Sequence, residues 1–207
     1  MKLKNSKLGK FVPIRTDKGL YYGGFQNSLK ELGVSKFYRD RSCVVTAFTN
    51  AYLYMYYPGR EFSLEEYNNY QFEFFRRIRP HINGVPTAKA LNNRVKRIKR
   101  AHGLDIEGHL ISENYFRKIP THEKIAFINK GLSHNCPVIF INWMSGSVSV
   151  MKHHGVTITE CNDMGDYHEL VISSWGRVYK INFEEFDRQV RSYTGLIYFE
   201  RKDYGLY

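Results

Sequence analysis

Residues 40–57 read DRSCVVTAFTNAYLYMYY, and this stretch decides how the rest of the chain is interpreted. Apolar residues recur in it at the spacing of one helix face: Val45, Phe48, Tyr52 and Met55. Pro58-Gly59 follows and stops the segment. The pattern therefore predicts a helix from Ser42 to about Tyr57, with Cys43 in its first turn.

Further helices and then strands are predicted along the chain. Ser63 and Glu66 form a capping box for a second helix that ends before Pro80, a third spans Thr87 to Ala101, and a fourth begins at Thr121 as its cap and ends at Gly131. After Asn135, alternating segments read as short strands: Pro137 to Trp143, Ser147 to Lys152, His154 to Glu160, Tyr167 to Ser174, Arg177 to Ile181 and Gly195 to Arg201. Asn182 and Glu185 resemble a cap for a helix through about Val190.

This order of elements predicts an α+β fold, with helices first and an antiparallel sheet after them. The 207 residues suit one domain with a single sizeable core. We therefore expect one domain over residues 1–207, in which residues 1–135 are mainly helical and residues 136–207 form mainly the sheet.

Cys43 is the first candidate for chemistry. A thiol in the first turn of a helix faces the positive end of the helix dipole, and a nearby imidazolium adds to this effect, so the thiol pKa falls. Asp40 or Ser42 is expected to cap the helix and leave the sulfur in this position. A lone cysteine in a helix is more often a packing residue, so the prediction depends on a partner.

His154 is the candidate partner. Alternation along residues 153–159 places His154, Val156 and Ile158 on one face of a strand, and His153 on the other. A hairpin turn centred near Met164 sets residue 174 opposite residue 154, and a small shift of the turn brings Ser173 there instead. Either Ser173 or Ser174 could then accept a hydrogen bond from the imidazole and fix its tautomer.

Together these motifs resemble the papain-like cysteine peptidases, including the branch that removes bacteriocin leader peptides. That family carries a cysteine on an early helix, then a histidine and an orienting residue on later strands. His154-Gly155-Val156 is similar to its histidine motif, and Ser173-Ser174-Trp175-Gly176 is similar to its Asn-Ser-Trp-Gly run apart from the first residue. The resemblance covers roughly Phe37 to Phe199 as short motifs and element order.

The resemblance implies a cysteine peptidase that hydrolyses peptide or amide bonds of a peptide or protein substrate. Cys43 would be the nucleophile, His154 the general base and Ser173 the orienting residue, with Ser174 as the alternative. No cofactor or metal is implied, since His134 with Cys136 and Cys161 with His168 lack a second half at zinc-ligand spacing.

Two positions depart from the family pattern. The family usually has a glutamine six residues before the nucleophile, whose amide binds the oxyanion, and Phe37 stands there. Gln26 and Asn50 are the substitute candidates for this donor. The other departure is Ser173 in place of asparagine. Losing one oxyanion donor costs about 10²- to 10³-fold in rate, so a catalytically degenerate binding module is the alternative interpretation.

Charge suggests a further class of function. The chain has 31 Lys and Arg against 20 Asp and Glu, a net charge of +11. Such a surface attracts nucleic acid, anionic lipid or acidic protein. The basic stretch from Lys89 to Arg100 could track phosphates, so nucleic-acid binding stays open.

Composition also bears on location. Three cysteines form no disulfide framework, which favours a reducing compartment. The basic start of the chain lacks the apolar run of a signal peptide, and no apolar stretch approaches the roughly 20 residues of a spanning helix. We therefore expect a cytoplasmic protein without a membrane span.

Overall fold

The computed structural model describes residues 1–102, 104–144, 151–189 and 191–202. It is a mixed α+β structure with 38% helix, 32% strand and an antiparallel sheet. The predicted class is therefore confirmed.

A six-stranded antiparallel sheet forms the centre of the molecule. Its spatial order is β4 (Ile106–Asn114), β9 (Arg191–Arg201), β5 (Val138–Met144), β6 (His154–Asp163), β7 (His168–Ser174) and β8 (Arg177–Asn182). Strand β4 comes from residues 1–135 and pairs with β9 from Ile106 opposite Arg201 to Asn114 opposite Tyr193. The part of the chain predicted to be mainly helical thus supplies one edge strand of the sheet as well.

Both faces of this sheet are covered. The longer helices are α2 (Cys43–Tyr56), α3 (Leu64–Ile78), α4 (Ala88–His102) and α5 (Thr121–Ser133). Strand β5 alternates between two cores: Val138 and Phe140 pack with α5, whereas Ile139 and Ile141 pack with α2, α3 and α4. Such near-continuous apolar strands are typical of a sheet that is buried on both faces.

A smaller, three-stranded sheet is formed mainly by residues near the N-terminus. It consists of β1 (Pro13–Thr16), β2 (Gly19–Tyr22) and β3 (Phe62–Ser63), in the order β2, β1, β3. A 3₁₀ helix (Gln26–Leu32) and the short helix α1 (Lys36–Arg39) lead from it to α2. The sequence pattern did not predict these elements, because each is too short to show a period.

The predicted helix boundaries are largely confirmed. Ser63 and Glu66 form the expected capping box, with the Ser63 hydroxyl 3.1 Å from the Glu66 amide nitrogen. Thr121 does not cap α5, since its hydroxyl donates to the Asp187 carboxylate instead. The helix after Asn182 is shorter than predicted and spans Phe183–Asp187 (α6). The predicted strand from Ser147 to Lys152 lies largely outside the described residues.

The hairpin of β6 and β7 has a different register from the one predicted. Thr157 pairs with Ser173, and a bulge between Ile158 and Glu160 brings Asp163 opposite His168. This register differs by two residues from the predicted pairing of 154 with 174. A shift of two preserves the face on which each side chain lies, so Ser174 and His154 still share a face.

Candidate active site

Cys43 and His154 line the same cleft. It has a volume of about 280 Å³ and lies between the start of α2, the start of β6 and the loop around residues 82–85. Trp143, at the end of β5, forms part of its wall. The structure therefore brings together the two residues that the sequence singled out, although they are far apart in the chain.

The start of α2 has no side-chain cap. Cys43 is the first helical residue and Ser42 is the N-cap residue, but the Ser42 hydroxyl donates to the Tyr38 carbonyl at 2.7 Å. The Asp40 carboxylate instead accepts from Lys36 at 2.6 Å. Neither predicted cap is therefore made. The uncapped amides leave the helix N-terminus free to interact with the Cys43 sulfur.

Gly155 holds β6 against this helix end. A Cβ atom at residue 155 would lie 2.6 Å from Val44 Cγ2, which is closer than real Cβ contacts allow, and 3.3 Å from the Val44 Cα and N atoms, which is tighter than most. Only glycine lets the strand approach so closely. Because His154 is the preceding residue, this contact carries the imidazole to the cysteine end of α2.

The ionisation of Cys43 differs from the prediction. Burial raises the pKa of the Cys43 thiol, although hydrogen bonds from the amides of Gly155, Val44 and Cys43 act to lower it. The expected fall of the thiol pKa is thus wrong for the resting structure, because burial outweighs the helix terminus. The amides converge on the sulfur but do not ionise it.

His154 is buried between a hydroxyl and an aromatic ring. Its Nε2 atom lies 2.8 Å from Ser174 Oγ, and its ring stacks on Trp175 with centroids 4.6 Å apart and planes 21° apart. The imidazole is 7% exposed. Burial lowers the pKa of His154 to about 4, so the ring is neutral at pH 7.

The orienting serine is Ser174. Ser173 Oγ donates instead to the Tyr22 carbonyl at 2.6 Å and contributes to the packing of β7 against the N-terminal segment. The hydrogen bond to the imidazole that was predicted for Ser173 is therefore made by Ser174, which was the alternative prediction. Since the Ser174 contact uses Nε2, Nδ1 is the ring nitrogen left for a proton from the thiol.

The resting pair is uncharged and not directly bonded. Among the described residues, no hydrogen bond joins the Cys43 thiol to the His154 ring. The raised thiol pKa and the lowered imidazole pKa both favour the neutral forms. Proton transfer to His154 would therefore accompany attack of the sulfur on a substrate and would not precede it.

The two proposed oxyanion donors do not line the cleft. Asn50 is buried on α2, where its Oδ1 atom accepts from the Gly24 amide at 3.0 Å and from the Tyr67 hydroxyl at 2.7 Å. Gln26 begins the 3₁₀ helix. Phe37 is exposed on α1 and its carbonyl accepts from Arg41. The backbone amides around Cys43 are therefore the donors nearest to the reacting sulfur.

Asn142 is a cleft residue that the sequence did not reveal. It pairs with His154 across β5 and β6, is 1% exposed, and its Nδ2 atom donates to the Met151 carbonyl. This bond holds the turn in which His153 takes a φ of 48° immediately before His154. Its sequence signal was a polar residue inside an otherwise apolar strand, Val138–Met144.

The structure also bears on the metal, nucleic-acid and membrane predictions. The described residues contain no group of three or more His, Cys, Asp or Glu side chains that could hold a metal ion. Lys89, Lys96, Arg97 and Arg100 are exposed on α4, and Lys99 pairs with Asp105. No described helix has the length and apolar character needed to cross a bilayer.

Two comparisons with known proteins were made, one with protein-family models and one with curated proteins. No protein-family model matches the chain, and no curated protein matches it either. The functional assignment therefore depends on the geometry of the cleft and on the sequence motifs.

Proposed function

We propose that the chain is a papain-like cysteine peptidase that hydrolyses peptide or amide bonds through an acyl-enzyme on Cys43. One observation carries this proposal: a cysteine at an uncapped helix N-terminus shares a cleft with a buried histidine, which a serine and a tryptophan hold in place. This combination provides a nucleophile, a base and an orienting residue.

The reaction would begin with transfer of the Cys43 thiol proton to Nδ1 of His154. The sulfur then bonds to the substrate carbonyl carbon, and the oxyanion is stabilised by the amides at the start of α2, including that of Cys43. The C–N bond breaks as His154 gives the proton to the leaving amine. Water then attacks the thioester, with His154 again as base, and releases the acid and the free thiol.

The neutral resting state leaves His154 deprotonated throughout the neutral range, since its pKa is about 4. A pKa this far below neutral also makes His154 a weak base, so the proton transfer is uphill and depends on the attack of the sulfur that accompanies it. Stacking on Trp175 and the bond to Ser174 keep the imidazole ready at one angle, so little reorientation is needed.

A degenerate binding module is the second candidate, and the missing Cys43–His154 hydrogen bond favours it. In this case the cleft would bind a peptide without forming a thioester. The Phe37 and Ser173 departures are consistent with such a loss.

Peptide cleavage distinguishes the two candidates. Wild-type protein would be incubated with a mixture of casein-derived peptides, and new termini would be identified by mass spectrometry. Hydroxylamine in a parallel sample would trap acyl groups as hydroxamates and so separate transfer from hydrolysis. We expect new termini with the wild type and with the matched control Cys161→Ala, whose cysteine is buried in a core away from the cleft. Equal cleavage by Cys43→Ala, or none by any form, would overturn the peptidase proposal.

A further inference from the structure

The Cys43 cleft adjoins two further depressions. A neighbouring depression of about 370 Å³ shares Ile82, Asn83 and Gly84 with it. A third hollow, of about 730 Å³, shares Tyr38, Pro80 and His81 with the second. The three depressions therefore lie side by side, in a row that leads from the candidate nucleophile across α1 to the end of α3, and we refer to this row as the groove.

One wall of the groove is a tight loop held by Arg41. His81 and Gly84 bond to each other through both backbone amides, so Ile82 and Asn83 form the tip of the loop. Arg41 donates to the Ile82 carbonyl, and a Cβ atom at Gly84, where φ is 65°, would lie 2.9 Å from the Arg41 carbonyl oxygen. The loop is thus fixed in place, yet it leaves Ile82 73% exposed beside the cleft.

The floor of the groove is aromatic. Tyr38 stacks edge-on against Phe37 at 5.2 Å and against Phe75 at 6.2 Å between ring centroids, and Phe72 lies parallel to Phe75. Phe37 and Tyr38 are each 44% exposed. A row of exposed apolar side chains in a fixed concave surface is typical of a site that binds apolar groups.

The charge along the groove is positive. Arg41, Arg79 and Arg94 line it, and no ion pair to a carboxylate joins them within the described part of the chain. Arg79 and Arg94 lie together, because Arg94 Nη1 donates to the Arg79 carbonyl at 3.2 Å. Burial and the charge of Arg97 lower the pKa of Arg94, which is the effect of a cation that lacks an anionic neighbour.

The groove itself supplies almost no negative charge. Among the described residues that line its three segments, Asp40 is the one carboxylate, and it is already paired with Lys36. Arg76 likewise pairs with Glu73. The positive charge without a carboxylate partner therefore belongs to Arg41, Arg79 and Arg94, of which Arg41 already lies over the Phe37 ring and donates to the Ile82 carbonyl.

We infer that this groove binds an extended segment of the polypeptide substrate, in which a large apolar side chain lies next to an acidic one. The apolar group would pack on Tyr38 and Phe75, and the carboxylate would pair with Arg79 and Arg94. This inference rests on the proposed function for the cleavage of the bound segment, but binding itself requires only the groove.

Binding to a chain that cannot cleave tests the inference. The Cys43→Ala variant would be titrated against a fluorescein-labelled synthetic peptide in which Glu residues alternate with Phe and Leu, and against its Glu→Gln counterpart, with fluorescence anisotropy as the readout. We expect the acidic peptide to bind at least about tenfold more tightly, which corresponds to about 1.4 kcal/mol. Replacing Phe and Leu by Ala in the acidic peptide should also weaken binding.

Variants of the groove show where the preference originates. Arg79→Gln combined with Arg94→Gln should bring the two peptides within about twofold of each other, because the pairing cations are gone. Lys130→Gln is the matched control, since Lys130 is exposed on α5 at the opposite face of the sheet. If the double variant does not fold, Arg79→Gln alone, whose side chain is exposed, gives the same test with a smaller loss.

The outcomes separate the two proposals. Equal binding of both peptides, or an acid preference that survives in the double variant, would overturn the groove assignment even if wild-type protein cleaves peptides. Acid-selective binding without any cleavage by wild type would retain the groove and overturn the peptidase. Tighter binding of a single-stranded oligonucleotide than of the acidic peptide, lost in the double variant, would assign the groove to nucleic acid and contradict the inference.

Discussion

His154 is the residue on which the proposed chemistry depends, and its environment explains both its protonation and its orientation. Trp175 stacks on one face of the ring, and the burial of the imidazole lowers its pKa to about 4. Trp175 and Gly176 form the two-residue turn between β7 and β8 with φ angles of 48° and 73°. A positive φ is rare for a bulky residue, and here it coincides with a contact to the candidate base.

Replacing Ser174 by alanine tests the orientation of His154. The change removes the 2.8 Å contact to Nε2 and leaves the ring free to choose its tautomer and angle. We expect turnover, or His154-dependent labelling of Cys43, to fall about tenfold, in line with the 0.5–1.5 kcal/mol typical of a neutral hydrogen bond. Rates would be measured for Ser174→Ala and for Ser174→Thr, which keeps the hydroxyl.

Ser173→Ala is the control for this prediction. It removes a neighbouring hydroxyl that bonds to the Tyr22 carbonyl and not to the imidazole. It should lower the melting temperature while leaving the rate of the folded protein near wild type. A larger rate loss for Ser173→Ala than for Ser174→Ala would contradict the assignment of Ser174.

For individual residues, the sequence predicted where side chains lie better than it predicted their pKa values. Strand alternation correctly placed His154 inward, and it kept Ser174 on the same face even though the hairpin register was two residues away from the predicted one. The choice between Ser173 and Ser174 needed the true register. The thiol pKa could not be predicted, because it depends on how much protein surrounds the sulfur, and a helix terminus alone does not determine that.

Among the contacts between helices and strands, that of β6 with the start of α2 determines the geometry of the candidate site. Gly155 and Val44 meet there, so the distance between strand and helix sets the distance between base and nucleophile. A side chain at residue 155 would push the two elements apart. The same contact brings the Gly155 amide to the Cys43 sulfur.

A double-mutant cycle at Gly155 and Val44 tests this contact. Gly155→Ala should destabilise the fold by about 1–3 kcal/mol, because the new methyl group overlaps Val44 Cγ2, and it should also slow the reaction of Cys43. Val44→Ala removes the overlapping methyl groups, so the double variant should recover part of the stability and rate. Urea unfolding and Cys43 labelling would be measured for all four forms. Strictly additive losses would show that the two residues do not form the contact described.

Element prediction succeeded where a segment was long and amphipathic. Helices α2, α3 and α4 begin and end within one or two residues of their predicted limits, because Pro58-Gly59, the Ser63–Glu66 box and Thr87 mark their ends. Strand β4 was not predicted, because its side chains do not alternate regularly between buried and exposed at the sheet edge. Strands β1 and β2 form a local hairpin but have only four residues each, and β3 pairs with β1 across more than 40 residues of sequence, so local patterns did not reveal them.

At the scale of the whole molecule, a buried ion cluster ties the sheet edge to two helices. Lys124 on α5 lies 2.9 Å from Glu113 on β4 and also contacts Asp187 at the end of α6, and the three side chains are at most 5% exposed. No local motif predicts this cluster, since its members are separated widely in sequence. It fixes β4, which is the strand that completes the sheet.

Lys124→Met should therefore destabilise the whole fold. Two buried carboxylates would lose their cation, and the cost of breaking such a pair is about 3–5 kcal/mol. Lys130→Met on the exposed side of the same helix should change stability by no more than about 0.5 kcal/mol. Chemical denaturation of both variants gives the comparison. Adding Asp187→Asn to Lys124→Met should restore part of the loss, and no restoration would mean that charge is not the cause.

The molecule as a whole uses its sheet to join two distant segments at one cleft. Helix α2 delivers Cys43 from the first quarter of the chain, and β6 and β7 deliver His154 and Ser174 from the last third. The groove that begins at Cys43 lies on the side of α1, α3 and α4, where the unpaired arginines lie. This arrangement sets the nucleophile next to the proposed substrate surface.

The rate of Cys43 alkylation by iodoacetamide as a function of pH tests the central claim most directly. The modification of each cysteine would be measured by mass spectrometry in wild type, in His154→Ala and in the control His153→Ala, whose histidine lies in the same cleft. Because His154 has a pKa of about 4, its ring is neutral above that pH and can accept a proton. This ability is lost as the pH falls through 4 and the ring becomes protonated.

With His154 as the base, wild type and His153→Ala should label Cys43 at a rate that is nearly constant between about pH 5 and 8, since the base is already deprotonated there. His154→Ala should label slowly, with a rate that rises about tenfold per pH unit, as expected for an unassisted thiol at a pH below its pKa. Identical pH profiles for wild type and His154→Ala would contradict the Cys43–His154 pair and leave a binding cleft without the proposed catalysis.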